Sequence, residues 1–186
     1  GSTGSPLSEE AFYWLQKRLP STQIISLSGG TDVCSAFLGG NPNLPVYAGY
    51  LQCEMLGASV ECWNEKGEKV NNETGELVIT NSMPCMPIYF WGDNQNKVYT
   101  DSYFQKFKGV WTHGDWIQKC ETKGIKILGR SDSTLNRKGV RIGTSEIYRV
   151  LDQVDEIVDS IILDLPNKKD HSQLFLFVVT SKKLDF

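Results

Sequence analysis

GRSDSTLNRKGVRIGTSEIY, residues 129–148, is dense in residues that a plain connector would not need. A charged turn, Gly129-Arg130-Ser131-Asp132, leads into a polar loop. Thr144-Ser145-Glu146 then offers N-cap chemistry ahead of Ile147, Val150, Leu151 and Val154, which recur at helical spacing. The stretch reads either as a hinge or as an ordinary loop between two elements.

Upstream of it, Gly124 to Gly129 alternates as a strand that delivers Arg130 and Asp132. Downstream, a helix from about Ser145 to Val154 is followed by strands over Val158–Leu165 and Leu174–Thr180, with a turn at Pro166–Asp170 between them. One helix and two strands bury little by themselves, so this tail is expected to be the beginning of a second, incomplete domain.

The rest of the chain has a different texture. Ser8 is placed to cap a helix whose first turn carries Glu9 and Glu10, whose apolar side includes Ala11, Leu15 and Leu19, and which Pro20 stops. Ahead of it, Ser2-Thr3-Gly4-Ser5-Pro6 is a small-residue loop. It is either a turn or a place where backbone approaches a ligand closely. Ile24–Leu27 is apolar enough for a buried strand and is expected to empty into a loop, Ser28-Gly29-Gly30-Thr31-Asp32. Such a loop can face a phosphate with its amides and a metal with its carboxylate, or it can simply turn the chain.

From Pro45 to Trp91, short runs at Val46-Tyr47, Leu51–Cys53, Val60–Trp63 and Glu76–Ile79 alternate with glycine and asparagine turns, the pattern of a small antiparallel sheet or barrel. Trp111-Thr112-His113-Gly114-Asp115-Trp116 sets a carboxylate between two indoles. Asp115 either caps a turn or accepts from both hydroxyls of a vicinal diol, as in ribose. His113 reads as a hydrogen-bonded structural residue, since no nucleophile lies near it in sequence.

The chain has 186 residues, 19 lysines and arginines against 22 aspartates and glutamates, and a formal charge of -3. There is no basic field to recruit nucleic acid, no apolar run of membrane-spanning length and no leader-like N-terminus. Five scattered cysteines, with only His113 and His171 to assist, favour reduced thiols in the cytosol over a disulfide framework or a zinc site.

Taken in order, STGSPL (residues 2–7), SGGTD (28–32), GNPNLPVY (40–47), FWGD (90–93), HGDW (113–116) and GRSD with TLNRKGVRIGTSEIY (129–132, 134–148) resemble the acyl-adenylate-forming, or AMP-dependent, synthetase superfamily. Within it they most resemble the acetoacetyl-CoA synthetase family. The resemblance implies α/β and α+β architecture: a partial acyl-CoA synthetase fold, with the end of the large AMP-binding domain (sheet plus small β-barrel, 1–131) followed by hinge and incomplete small domain (132–186).

It also implies roles. Gly4, Ser5 and Pro6 would border adenine, with Gly30 in the nucleotide loop. Thr31 would touch phosphate, Asp32 would hold magnesium, and Asp115 would grip the ribose hydroxyls beside Arg130. Asp132 would be the hinge. Arg141 would reach phosphate, and Gly139 would face the coenzyme A tunnel. The implied activity joins acetoacetate to coenzyme A with ATP and Mg2+, releasing AMP and pyrophosphate through an acyl-adenylate, with Thr31 and Arg141 in catalytic roles and small-molecule substrates as partners, without nucleic acid or membrane. Ligation of acetate or propionate, or a non-catalytic nucleotide-binding remnant, are the alternatives.

The sequence departs from the family pattern in three ways. The family's glycine-, serine- and threonine-rich phosphate loop and its closing lysine are not in this sequence, so the chain is expected to be a fragment that is inactive alone. Tyr50 also stands where related sequences tend to carry a glutamate.

Overall fold

A computed structural model of the chain describes residues 1–132, 135–137, 140–142, 144–151, 153–166 and 172–182. These residues separate into two compact units, Gly1–Leu128 and Gly129–Phe186.

The first unit opens with helix α1, Glu9–Arg18, where Ser8 accepts a hydrogen bond from the Ala11 N–H and the acidic pair Glu9 and Glu10 sits in the first turn. The cap and the dipole explain where it starts. None of its residues is buried; Arg18 instead covers the Trp14 ring at 3.7 Å. Strand β1, Ser28–Gly30, pairs antiparallel with β2, Ser35–Gly39, which pairs with β3, Cys53–Glu54. A second sheet has the order β4 (Val60–Trp63), β5 (Thr74–Ile79), β6 (Trp111–Cys120), β7 (Gly124–Arg130). Helix α2, Lys97–Tyr103, lies between β5 and β6 in sequence.

The core takes Val33, Phe37 and Leu38 from the first sheet and its turn, and Val60, Cys62, Leu77, Ile79, Trp111, Ile117 and Ile125 from the second. Phe37, Leu38, Cys62 and Leu77 are completely shielded, which explains why short strands with modest propensity hold their register. Burial also pushes the Cys62 thiol up to about 11, whereas Cys34 is exposed. Thiol titration at pH 8 is therefore expected to modify Cys34 in the first phase and Cys62 only on unfolding, because the reactive thiolate of Cys62 is scarce below its raised value. Rapid native-state labelling of Cys62, read by peptide mass, would contradict the packing described here.

The structure corrects three expectations in this unit. Ile24–Leu27 is not the strand proper; it is an extended lead-in held by Ser2, whose N–H donates to the Ile25 carbonyl at 2.8 Å and whose carbonyl accepts from Leu27 N–H at 2.8 Å. Ser28–Gly30 is the strand rather than a bare loop, because its backbone is used by β2. Val46-Tyr47 is not a strand but leads into the turn at Ala48-Gly49, whereas Asp115 lies within β6. The ring of Tyr50 has the Lys123 and Lys126 ammonium groups 5.7 Å from its centroid.

The second unit contains the hairpin β8 (Leu135–Arg137) with β9 (Val140–Ile142), helix α3 (Thr144–Leu151), and the ribbon β10 (Ile157–Pro166) with β11 (Ser172–Thr180). The hairpin occupies what reads in sequence as loop. Tyr148 on α3 accepts from the Ile162 N–H at 3.0 Å and so ties the helix to the ribbon. Ile162 is buried, while Val158, Ile161, Phe177 and Val179 are exposed, as expected of one helix on two strands. No helix among the described residues is long and apolar enough to cross a membrane.

Candidate functional site

The site is built on an irregularity in β6. Val78 pairs with Thr112 and Glu76 with Trp116, so a two-residue step on β5 faces a four-residue step on β6. The surplus is accommodated as a bulge, with Gly114 at φ +86°, a conformation side chains resist. His113 and Asp115 flank that glycine, both buried, with His113 Nε2 3.7 Å from Asp115 Oδ2.

His113 is held from three sides. The Trp111 indole N–H donates to its Nδ1 at 3.3 Å. Because Nδ1 accepts, the neutral ring carries its proton on Nε2, the nitrogen facing Asp115. Phe37 meets the ring edge-to-face, with centroids 4.6 Å apart. Gly30 of β1 lies against the same ring: a β-carbon there would be 3.0 Å from His113 Cε1. His113 is thus a structural residue that sets the surroundings of Asp115, and the first sheet is packed against it at the predicted nucleotide loop.

The turn after Gly30 carries Thr31 and Asp32, both exposed, with the Thr31 carbonyl accepting from Cys34 N–H at 3.1 Å. Asp32 is reached from far along the chain: Tyr103, the last residue of α2, donates its hydroxyl to Asp32 Oδ2 at 2.6 Å. The Tyr103 ring stacks on Trp111, with centroids 3.7 Å apart and planes at 14°. A continuous path of contacts therefore runs Asp32, Tyr103, Trp111, His113, Asp115. Sequence reasoning did not single out Tyr103, and no local pattern marks it.

The small-residue loop joins the same neighbourhood by backbone. Ser2 bridges Ser26 in parallel, so the two segments run in the same direction. Gly4-Ser5-Pro6 follows one and Ser28–Asp32 the other. Gly4 has φ +91° and open space around its α-carbon.

The remaining predicted residues belong to the second unit. Arg130 donates through Nε to Asp132 Oδ1 at 3.0 Å, and its terminal nitrogen contacts Oδ2, a two-pronged ion pair between the predicted sugar contact and the predicted hinge. Arg141 has its backbone in β9, paired with Asn136; Gly139 lies outside the described residues.

A metal at this site would find one carboxylate, Asp32, since no cluster of three metal-binding side chains occurs among the described residues. That donor set suits Mg2+ carried in with phosphates, which supply the other oxygens, and not an all-protein cage. A separate cavity of about 640 Å³, lined among others by Tyr47, Gln52, Lys119 and Lys123, contains none of the predicted site residues.

The chain is similar in sequence and fold to known proteins. Acetoacetyl-CoA synthetase of Gallus gallus is 45% identical over 179 residues, 95% of this chain and 27% of its own length. The Rhizobium meliloti acetoacetyl-coenzyme A synthetase is 45% identical over 178 residues, with the same shares covered. The solved acetoacetyl-CoA synthetase of Streptomyces lividans superposes with a TM-score of 0.83 at 43% identity, over 98% of this chain and 28% of that one.

The chain belongs to the acyl-adenylate-forming synthetase superfamily. A benzoate CoA ligase from Burkholderia xenovorans, at 20% identity and a TM-score of 0.68 over 98% of this chain and 35% of its own, shares the fold. No family model matches the sequence. The two sheets and few helices are thus part of an acyl-adenylate-forming ligase fold, and the chain spans about 27% of the length of the curated relatives it matches.

Proposed function

We propose that this chain forms part of an acetoacetate–CoA ligase and contributes its ribose, phosphate and magnesium contacts. What carries the reading is the contact path from Asp32 to Asp115, in a chain so similar to the acetoacetyl-CoA synthetases. The path joins Asp32 and Asp115, read here as the metal and sugar contacts, within one packed unit.

The reaction needs no enzyme nucleophile. A carboxylate oxygen of acetoacetate attacks the α-phosphorus of ATP, and the bond to the bridging oxygen of pyrophosphate breaks, leaving an acyl-AMP. The thiol of coenzyme A then attacks the acyl carbon and AMP departs. Both partners of the first step are anions, so charge must be dispersed. Asp115 would accept from the two ribose hydroxyls, with the His113 ring packed 3.7 Å from its carboxylate. Asp32 would hold magnesium, which neutralises phosphate charge when bound. Thr31 would contact phosphate from the turn beside Asp32, and Gly4, Ser5 and Pro6 would border the base. Arg130 would serve the sugar and Arg141 the phosphate, Gly139 would face coenzyme A, and the chain would swing about Asp132 between half-reactions.

The test uses the full-length protein that carries these residues, with AMP and pyrophosphate release measured on acetoacetate, acetate and propionate. Acetoacetate is expected to have the highest kcat/KM. Asp115→Ala removes two charge-assisted hydrogen bonds and should lower kcat/KM for ATP by about 100-fold or more. Kinetics within twofold of the parent would remove the nucleotide assignment. Preference for acetate or propionate would reassign the acid and leave the nucleotide site standing.

A further inference from the structure

We infer that Tyr103 is a positioning residue for the Asp32 carboxylate, and that the FWGD segment and helix α2 exist in part to present it. The inference deepens the reading of Asp32 as a magnesium contact and rests on it.

Asp32 sits on an exposed turn, where a lone carboxylate would sample several rotamers. The Tyr103 hydroxyl removes that freedom by donating to Oδ2 at 2.6 Å across 71 residues of sequence. A donor is useful only if it is itself fixed, and Tyr103 is fixed. Its ring is stacked on Trp111, which is 1% exposed, and Phe90 and Tyr99 meet it edge-on. Its backbone is fixed by α2, whose first turn is held by Asp93: one carboxylate oxygen accepts from Val98 N–H at 3.0 Å and the other from Tyr99 N–H at 2.9 Å. Desolvation raises the Asp93 carboxyl, but the N–H groups of Tyr99, Val98 and Lys97 outweigh it and hold it below the ordinary carboxylate range. This hold is complete at neutral pH and fades as acid protonates Asp93.

Asp93 thus fixes α2, α2 and Trp111 fix Tyr103, and Tyr103 fixes Asp32. The arrangement gives FWGD a task that its sequence alone does not reveal. It leaves Asp32 oriented, with a second carboxylate oxygen to turn toward a cation delivered with phosphates.

Tyr103→Phe tests this, because it keeps the ring and its stacking and deletes only the hydroxyl. In the full-length protein, binding of Mn2+ in the presence of ATP, followed by electron paramagnetic resonance, should weaken about tenfold or more, the loss expected for one hydrogen bond to a charged acceptor. The same substitution placed on an Asp32→Asn background should cause less than a twofold further change, since the two act through one contact. The melting temperature should stay within about 2 °C of the parent in each case, as expected for an exposed contact.

Unchanged Mn2+ binding in Tyr103→Phe would overturn the inference. So would a loss of equal size on both backgrounds, which would make Tyr103 a packing residue for Trp111. If Asp32→Asn leaves Mn2+ binding intact while Asp115→Ala still abolishes ATP binding, the metal role of Asp32 and this inference both fall, and the nucleotide reading survives.

Discussion

Trp111→Ala is expected to destabilise the first unit by about 4 kcal/mol, the cost typical of removing a buried tryptophan from a packed core. Trp111 is 1% exposed and touches Tyr99, Tyr103 and Phe104 with its ring. Truncation leaves a cavity beneath α2 and takes away the donor to His113 Nδ1. The loss should therefore have two parts, one of packing and one of site order.

Trp111→Phe separates the parts: it refills most of the cavity but donates nothing, so about half the cost should remain. The check is urea unfolding of the 186-residue chain followed by fluorescence; all five tryptophans, Trp14, Trp63, Trp91, Trp111 and Trp116, belong to the first unit, so the signal reports on it. A loss under about 1 kcal/mol for Trp111→Ala would mean that the core is not centred where the structure puts it.

Gly124→Ala should be nearly as severe, at about 3 kcal/mol, for a reason unrelated to the hydrophobic core. Gly124 has φ +103°, and a β-carbon there would stand 2.1 Å from the Leu51 carbonyl oxygen. Neither the strand nor its neighbour can yield cheaply, because Leu51 and Ile125 exchange both backbone hydrogen bonds, at 2.8 and 2.9 Å. That bridge joins the approach to β3 with the start of β7, and so links the two sheets. An alanine adds unfavourable φ and forces the pair of bonds apart, contributions of about 1–3 and about 1 kcal/mol respectively. The expected signature is a lower melting temperature together with faster hydrogen exchange at the amides of Leu51 and Ile125. Wild-type exchange at both amides would show that the clash is relieved elsewhere.

Much of the local architecture can be read directly from residue types. Ser8 with Glu9 and Glu10 starts α1, Gly124 opens β7, and the apolar runs at Val60–Trp63, Glu76–Ile79, Val158–Leu165 and Leu174–Thr180 each lie within an observed strand. These are short-range effects of capping, backbone freedom and side-chain alternation, and they act within a few residues. The failures have the opposite character. Ser28-Gly29-Gly30 has the composition of a turn and is a strand because β2 supplies partners. Residues 135–142 have the composition of a loop and contain a hairpin for the same reason. Strand identity is settled by whichever segment arrives alongside, and propensity yields to it.

The candidate site divides in the same way. The ordered motifs and their residue types, Asp115 between two indoles and Asp32 after two glycines, determined the superfamily and the chemistry worth testing. Only the tertiary structure decided that these carboxylates lie at the two ends of one contact path, that His113 packs beside Asp115, and that Tyr103 is the residue reaching Asp32. A hydrogen bond spanning 71 residues and an aromatic stack between a helix and a strand depend on how separate elements are packed, and no pattern confined to neighbouring residues encodes that.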